Sequence, residues 1–80
     1  MSPSVINILY FGSIRDLTGK GSEQVENPGS LISLKNQLTS KFPGLEGMHF
    51  QFSINRRLMK GDEVVSDGDE VALLPPFAGG

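Results

Sequence analysis

From Val5 to Phe11 the chain reads VINILYF, apolar throughout apart from Asn7. That run suits a central strand covered on both faces, or on one face with a partner on the other. GSIRDLTGKG follows, and Gly12, Gly19 and Gly21 mark it as a loop. Ser22 to Glu26, SEQVE, is short and polar, as an edge strand after a hairpin-like connection would be. Beyond NPGS, Ser30 is a good helix N-cap, and Leu31, Leu34 and Leu38 recur at helical spacing, with Phe42 continuing the stripe. Lys35 and Lys41 lie toward the end of this segment, where they suit the helix dipole, and Pro43-Gly44 stops it. A helix over Ser30 to Phe42 is therefore expected. From Phe50 the pattern changes period: Phe50, Phe52 and Ile54 face one way, Gln51 and Ser53 the other, as in a half-buried strand. Asn55-Arg56-Arg57 reads as a turn, Leu58-Met59 as a short strand and Gly61-Asp62 as another turn. Glu63 to Val65 is a brief strand, Ser66 to Asp69 a tight turn, and Glu70 to Leu74 the last strand.

The element order predicts an α+β domain with one main helix on one face of a mixed four- to five-stranded sheet. The first and last strands are the most apolar, so they belong side by side and parallel at the centre. This is the β-grasp, or ubiquitin-like, layout. The division expected is a β-grasp domain over residues 1–74 and a flexible Gly-Gly tail over residues 75–80.

Composition narrows the chemistry. An 80-residue chain hides only roughly 60–65% of its unfolded surface, which leaves a small core and little room for a deep cleft. With no cysteine there is neither disulfide nor thiol nucleophile, and the single histidine, His49, cannot build a His-rich metal site. A net charge of −2 with the signs mixed argues against general nucleic-acid binding. The apolar runs are far too short for a membrane span, and no basic segment precedes the first of them as in a signal peptide. A cytoplasmic protein is the expectation.

Few internal residues suggest chemistry. GKGS at Gly19 to Ser22 departs from the phosphate-loop pattern twice: Ile14 stands where the first glycine belongs, and Gly21 follows the lysine. His49 stands alone beside Phe50. Asp67, Asp69 and Glu70 form an acidic cluster that reads first as a turn, with docking as a secondary role. Arg56, Arg57 and Lys60 form a small basic patch of solvated charges or of partner contacts. Arg15-Asp16 suggests a local ion pair ordering its loop.

The end of the chain is different. Pro75-Pro76 favours a stiff polyproline-II path away from the sheet. Six residues, Pro75 to Gly80, reach roughly 20 Å when extended. Ala78-Gly79-Gly80 has almost no side-chain bulk, so its backbone can thread a narrow channel in another protein. The reactive group would then be the terminal carboxylate, which needs activation as an acyl-adenylate made elsewhere.

These residues resemble the small, sulfur-carrier subunit family of molybdopterin synthase. DGDEVALLPPFAGG, Asp67 to Gly80, matches that family's ending, and LYFGSIRDLTG, Leu9 to Gly19, matches its strand followed by Phe-small-x-x-Arg-acid-x-x-Gly. Ile54-Asn55 is a third landmark. Asp16 replaces the commoner Glu, and Leu73-Leu74 replaces a pair that is often aromatic. The resemblance implies that an E1-like adenylyltransferase uses ATP to activate Gly80, which becomes a thiocarboxylate. The chain itself would bind no cofactor. Two such sulfurs would build the dithiolene of molybdopterin, in a heterotetramer with a large subunit whose side chains do the catalysis. Gly80 would carry the sulfur and Gly79 would provide the slender approach. Phe11, Leu58 and Leu74, with Pro75, Pro76, Phe77 and Ala78 of the tail, would contact the partners. Other β-grasp sulfur carriers, for thiamin or tRNA thiolation, and ubiquitin-like protein modifiers are the alternatives.

Overall fold

The computed structural model describes residues 4–75. Five strands form one mixed sheet in the order β2-β1-β5-β3-β4, where β1 is Val5–Tyr10, β2 Ser22–Glu26, β3 Gln51–Ile54, β4 Arg57–Leu58 and β5 Glu70–Leu74. β1 and β5 are parallel neighbours at the centre, as the two apolar runs predict; the other pairings are antiparallel. Two helices accompany the sheet: α1, Gly12–Thr18, and α2, Leu31–Lys41.

The long helix forms where its spacing requires. The Ser30 hydroxyl accepts from the Ser33 N–H, and Leu31, Leu34 and Leu38 are all buried. They pack on one face of the sheet with Ile6, Ile8 and Tyr10 of β1, Val71 and Leu73 of β5, and Ile54 of β3. Phe42 meets Tyr10 edge-on with centroids 6.1 Å apart, extending the stripe one residue past the helix. Pro43 then opens a 3₁₀ turn, Pro43–Gly47, whose Leu45 is fully buried.

The segment expected to be a loop is instead α1. Its buried residues, Ile14 and Thr18, are four apart and share a face. Gly19 is the C-cap, at φ +77°, a left-handed conformation that glycine adopts at little cost. The expected strand at Glu63 to Val65 reduces to a single bridge between Ser30 and Val64. β4 lies one residue earlier than Leu58-Met59, because a two-residue turn joins it to β3. That turn places Asn55 at φ +50° and Arg56 at φ +72°, the pattern that matches the twist of paired strands.

Candidate functional site

The strand register defines what the other sheet face carries. Leu9 pairs with Ala72, Ala72 with Ser53, and Ser53 with Leu58, so these four residues form one row across four strands. Leu74 pairs with Gln51 in the next row, and one residue past the Tyr10–Leu73 pair Phe11 continues β1 beside it in extended conformation. Ile14 of α1 and Leu31, Leu34 and Leu38 of α2 belong to the core cluster, and none of these row residues does. Leu58 is 56% exposed, Phe11 44%, and Leu74 and Leu9 are half-buried. Ala72 and Ser53 are buried because their side chains are shorter than those beside them. The result is a shallow apolar dip rimmed by leucines and Phe11.

Phe11, Leu58 and Leu74, singled out in the sequence, thus share one face. Leu9 and Ala72 join them and were missed, although their i, i+2 spacing from Phe11 and Leu74 is readable in the sequence.

The root of the tail is also defined. Pro75 is half-buried, and its ring lies so close to Gly12 that a Cβ there would be 2.9 Å from Pro75 Cγ. Gly12 also has φ +56°, so the small residue after Phe11 serves both the start of α1 and the path of β5 past it. Pro76, Phe77, Ala78, Gly79 and Gly80 lie outside the described residues, and with them the expected reactive end.

The acidic cluster is structural. Asp69 accepts from the Ser66 N–H at 2.8 Å and from the Asn55 amide at 3.0 Å, and the Glu70 N–H donates to Asn55 Oδ1 at 3.0 Å. Asn27 Nδ2 donates to Asp67 Oδ1 at 2.8 Å and to the Val65 carbonyl at 3.0 Å. These bonds close the turn at Gly68, φ +83°, and tie it to the β3–β4 hairpin. Arg15 and Asp16 make no ion pair among the described residues; Arg15 instead lies over Gly21, where a Cβ would be 3.4 Å from Nε. His49 is exposed, and no group of three metal-ligating side chains gathers among the described residues.

One polar constellation was not legible. Tyr10 donates its hydroxyl to Glu23 of β2, and Lys41 at the end of α2 approaches the same carboxylate at 2.6 Å, with Lys20 at 3.5 Å. Burial alone would raise the Glu23 pKa, but the bonds from Lys41 and Tyr10 and the two lysine charges hold it below the ordinary value. Burial, then the bond to Glu23 and its charge, push the Tyr10 phenol above its ordinary range. This network fastens the edge strand to the helix.

A sheet of this topology with one open apolar face and a Gly-Gly ending finds its match. The ThiS family pattern covers residues 8–80. The chain belongs to the ThiS family. It is 36% identical over 80 residues to the molybdopterin synthase sulfur carrier subunit of Mycobacterium tuberculosis, covering 94% of this chain and 96% of that protein. The human molybdopterin synthase sulfur carrier subunit is 30% identical over 82 residues, with 94% and 93% covered. Among solved structures, the small archaeal modifier protein 1 of Methanosarcina acetivorans superposes with a TM-score of 0.79 at 21% identity, both chains covered completely. A chain of the Helicobacter pylori complex of subunits 1 and 2 of molybdopterin-converting factor superposes with a TM-score of 0.71 at 24% identity, with 95% and 99% covered. The structural likenesses establish the ubiquitin-like β-grasp fold. Among the described residues no helix is long and apolar enough to cross a membrane.

Proposed function

We propose that this member of the ThiS family is the sulfur-carrier subunit of a molybdopterin synthase. The observation that carries the proposal is the similarity, 36% and 30% identity over 94% of the chain, to sulfur carrier subunits, together with a Gly-Gly ending in the sequence beyond the strand that borders an open apolar face. In this reading the Gly80 carboxylate attacks the α-phosphate of ATP on an E1-like enzyme and releases pyrophosphate. A donor supplying sulfur at the sulfide level then displaces AMP, and the C–S bond that forms leaves a thiocarboxylate. The large subunit receives the tail, and its active site moves the sulfur onto the pterin side chain. Water cleaves the acyl C–S bond and restores the carboxylate.

In this reading the proteins that bind the tail provide the acid–base chemistry. The face bearing Leu9, Phe11, Leu58, Leu74 and Ala72 gives them a surface to grip, and Pro75 against Gly12 sets where the tail begins. ATP belongs to the activating enzyme.

Deletion of Gly80 tests this reading in a reconstituted system of large subunit, activating enzyme, ATP, sulfur source and pterin precursor. The deletion moves the carboxylate back by about 3.5 Å, where a misplacement of about 1 Å can cost roughly 100-fold in rate. Sulfur transfer is expected to vanish with the melting temperature unchanged. Transfer at the wild-type rate would refute the role of the terminus, and isopeptide conjugates to lysines without any transfer would make the chain a modifier.

A further inference from the structure

A second surface lies apart from the open face and from the tail. An open groove of about 510 Å³ runs between α2 and β3, lined by Leu31, Ile32 and Lys35 on the helix, Phe50 and Phe52 along the strand, and Met59 to Asp62 beyond β4. Its volume falls within the range of about 300–1,000 Å³ typical of ligand sites.

The groove exists because β4 is too short to cover β3. β4 pairs only with Ser53 and Ile54, and the ladder ends where the Met59 N–H donates to the Phe52 carbonyl at 2.9 Å. The chain then turns away at Lys60-Gly61. Phe50 and Phe52 stand edge to face, centroids 5.3 Å apart, and both are half-buried, as is Met59. Ile32 is 57% exposed at the rim. A strand edge beside an apolar floor is the arrangement that accepts an extended peptide as an added strand.

Charge selects among peptides. Lys35 and Lys60 are exposed, and neither approaches a carboxylate within ion-pair distance among the described residues. The one acid in the groove, Asp62, is turned to the start of α2: its Oδ1 accepts from the Ile32 N–H at 2.9 Å and the Glu63 N–H at 3.0 Å, so it keeps its charge but is held at the helix end. The groove thus offers an apolar floor and two lysines against one carboxylate.

We propose that this groove docks an extended segment of a partner protein in which apolar residues alternate with acidic ones. The apolar residues enter against Phe50, Phe52 and Met59, and the acids meet Lys35 and Lys60. This surface does not rest on the sulfur-carrier reading: it shares only Gln51, the neighbour of Leu74, with the open face, and nothing with the tail.

The test is a titration of the ¹⁵N-labelled full chain with the acetylated, amidated peptide Glu-Val-Asp-Leu-Glu-Val and with its counterpart bearing lysine at each acidic position. The acidic peptide is expected to shift the amides of Ile32, Lys35, Phe50, Met59 and Lys60 saturably, and the basic one to shift none. The double variant K35E/K60E should weaken binding about tenfold or more, as charge reversal at a docking site does. Ile32→Gln should weaken it about threefold, with folding checked by the melting curve. If the double reversal disturbs folding, K35Q/K60Q replaces it with the same expectation in direction. Sulfur loading of Gly80 in K35E/K60E should equal wild type, so failure of the groove is separable from failure of the carrier reading. Absence of saturation at millimolar peptide, equal binding of the basic peptide, or shifts centred on Leu9, Leu58 and Leu74 would each overturn the proposal.

Discussion

Replacing Asn55 separates two contributions that meet at the β3–β4 turn. Its side chain donates to Asp69 Oδ1 and accepts from the Glu70 N–H, both at 3.0 Å, and its backbone is held at φ +50°. Asn55→Gly keeps the left-handed backbone accessible and removes both side-chain bonds. These groups are exposed enough for water to replace the bonds, so each is worth about 0.5–1 kcal/mol, for a loss of about 1–2 kcal/mol. Asn55→Ala loses the same bonds and also forces a Cβ-bearing residue with no local polar partner into the left-handed region, which costs about 1 kcal/mol more. The expected destabilisations are about 1–2 kcal/mol for glycine and about 2–3 kcal/mol for alanine, measured by urea unfolding with an unchanged slope. Asp69→Ala in the Asn55→Gly background should cost less than in wild type, because they share a bond. Equal stability of the glycine and alanine variants would refute the conformational argument. Losses under about 0.3 kcal/mol in both would refute the clamp.

Three further outcomes are expected. Leu34→Ala, which empties a fully buried position under the sheet, should cost about 2–5 kcal/mol in chemical unfolding. Leu58→Asp should leave the melting temperature within a few degrees of wild type and weaken binding to the large subunit in calorimetry; unfolding in place of lost binding would return Leu58 to the core. The Glu23 network should show in the melting temperature as a function of pH. The folded-state pKa of Glu23 is lowered, so its contribution is present above the unfolded value and lost as pH falls through the folded one. The folded-state pKa of Tyr10 is raised, so its contribution is complete below the ordinary phenol value near 10 and is lost as pH rises past it. Tyr10→Phe should lower stability at neutral pH and flatten this alkaline limb; a limb as steep as that of wild type would show that Tyr10 does not cause it.

The architecture was legible where hydrophobic period and length agreed. Two strongly apolar runs predicted the parallel central pair, and leucines at positions 31, 34 and 38 predicted the helix and its buried face. α1 was hidden because glycine stands at its first position and at its C-cap, so residues that begin and end a short helix read as loop punctuation. Its signal, Ile14 and Thr18 four apart, is only two residues long. The strand expected at Val64 reduced to one bridge, since a three-residue run cannot show whether it finds a neighbour. At the site, the ending motif was readable directly, whereas the row Leu9, Ala72, Ser53 and Leu58 depends on pairing register and required the structure. The Tyr10, Glu23 and Lys41 network spans three elements and left no local pattern. The groove beside Phe50 exists only because β4 stops after two residues, a length that composition does not reveal.

In the sulfur-carrier reading Gly80 exchanges a carboxylate oxygen for sulfur. Intact mass spectrometry of the chain, after incubation with the activating enzyme, ATP and a sulfur source, tests this. Exchange of one carboxylate oxygen for sulfur raises the mass by about 16 Da, and the added mass should map to the C-terminal peptide by fragmentation at Gly80 rather than to Met48 or Met59, whose oxidation adds a similar mass. A gain at Gly80 that requires ATP is the predicted result. An unchanged mass at Gly80 with an active enzyme, confirmed on a known carrier in the same reaction, would show that Gly80 does not carry sulfur.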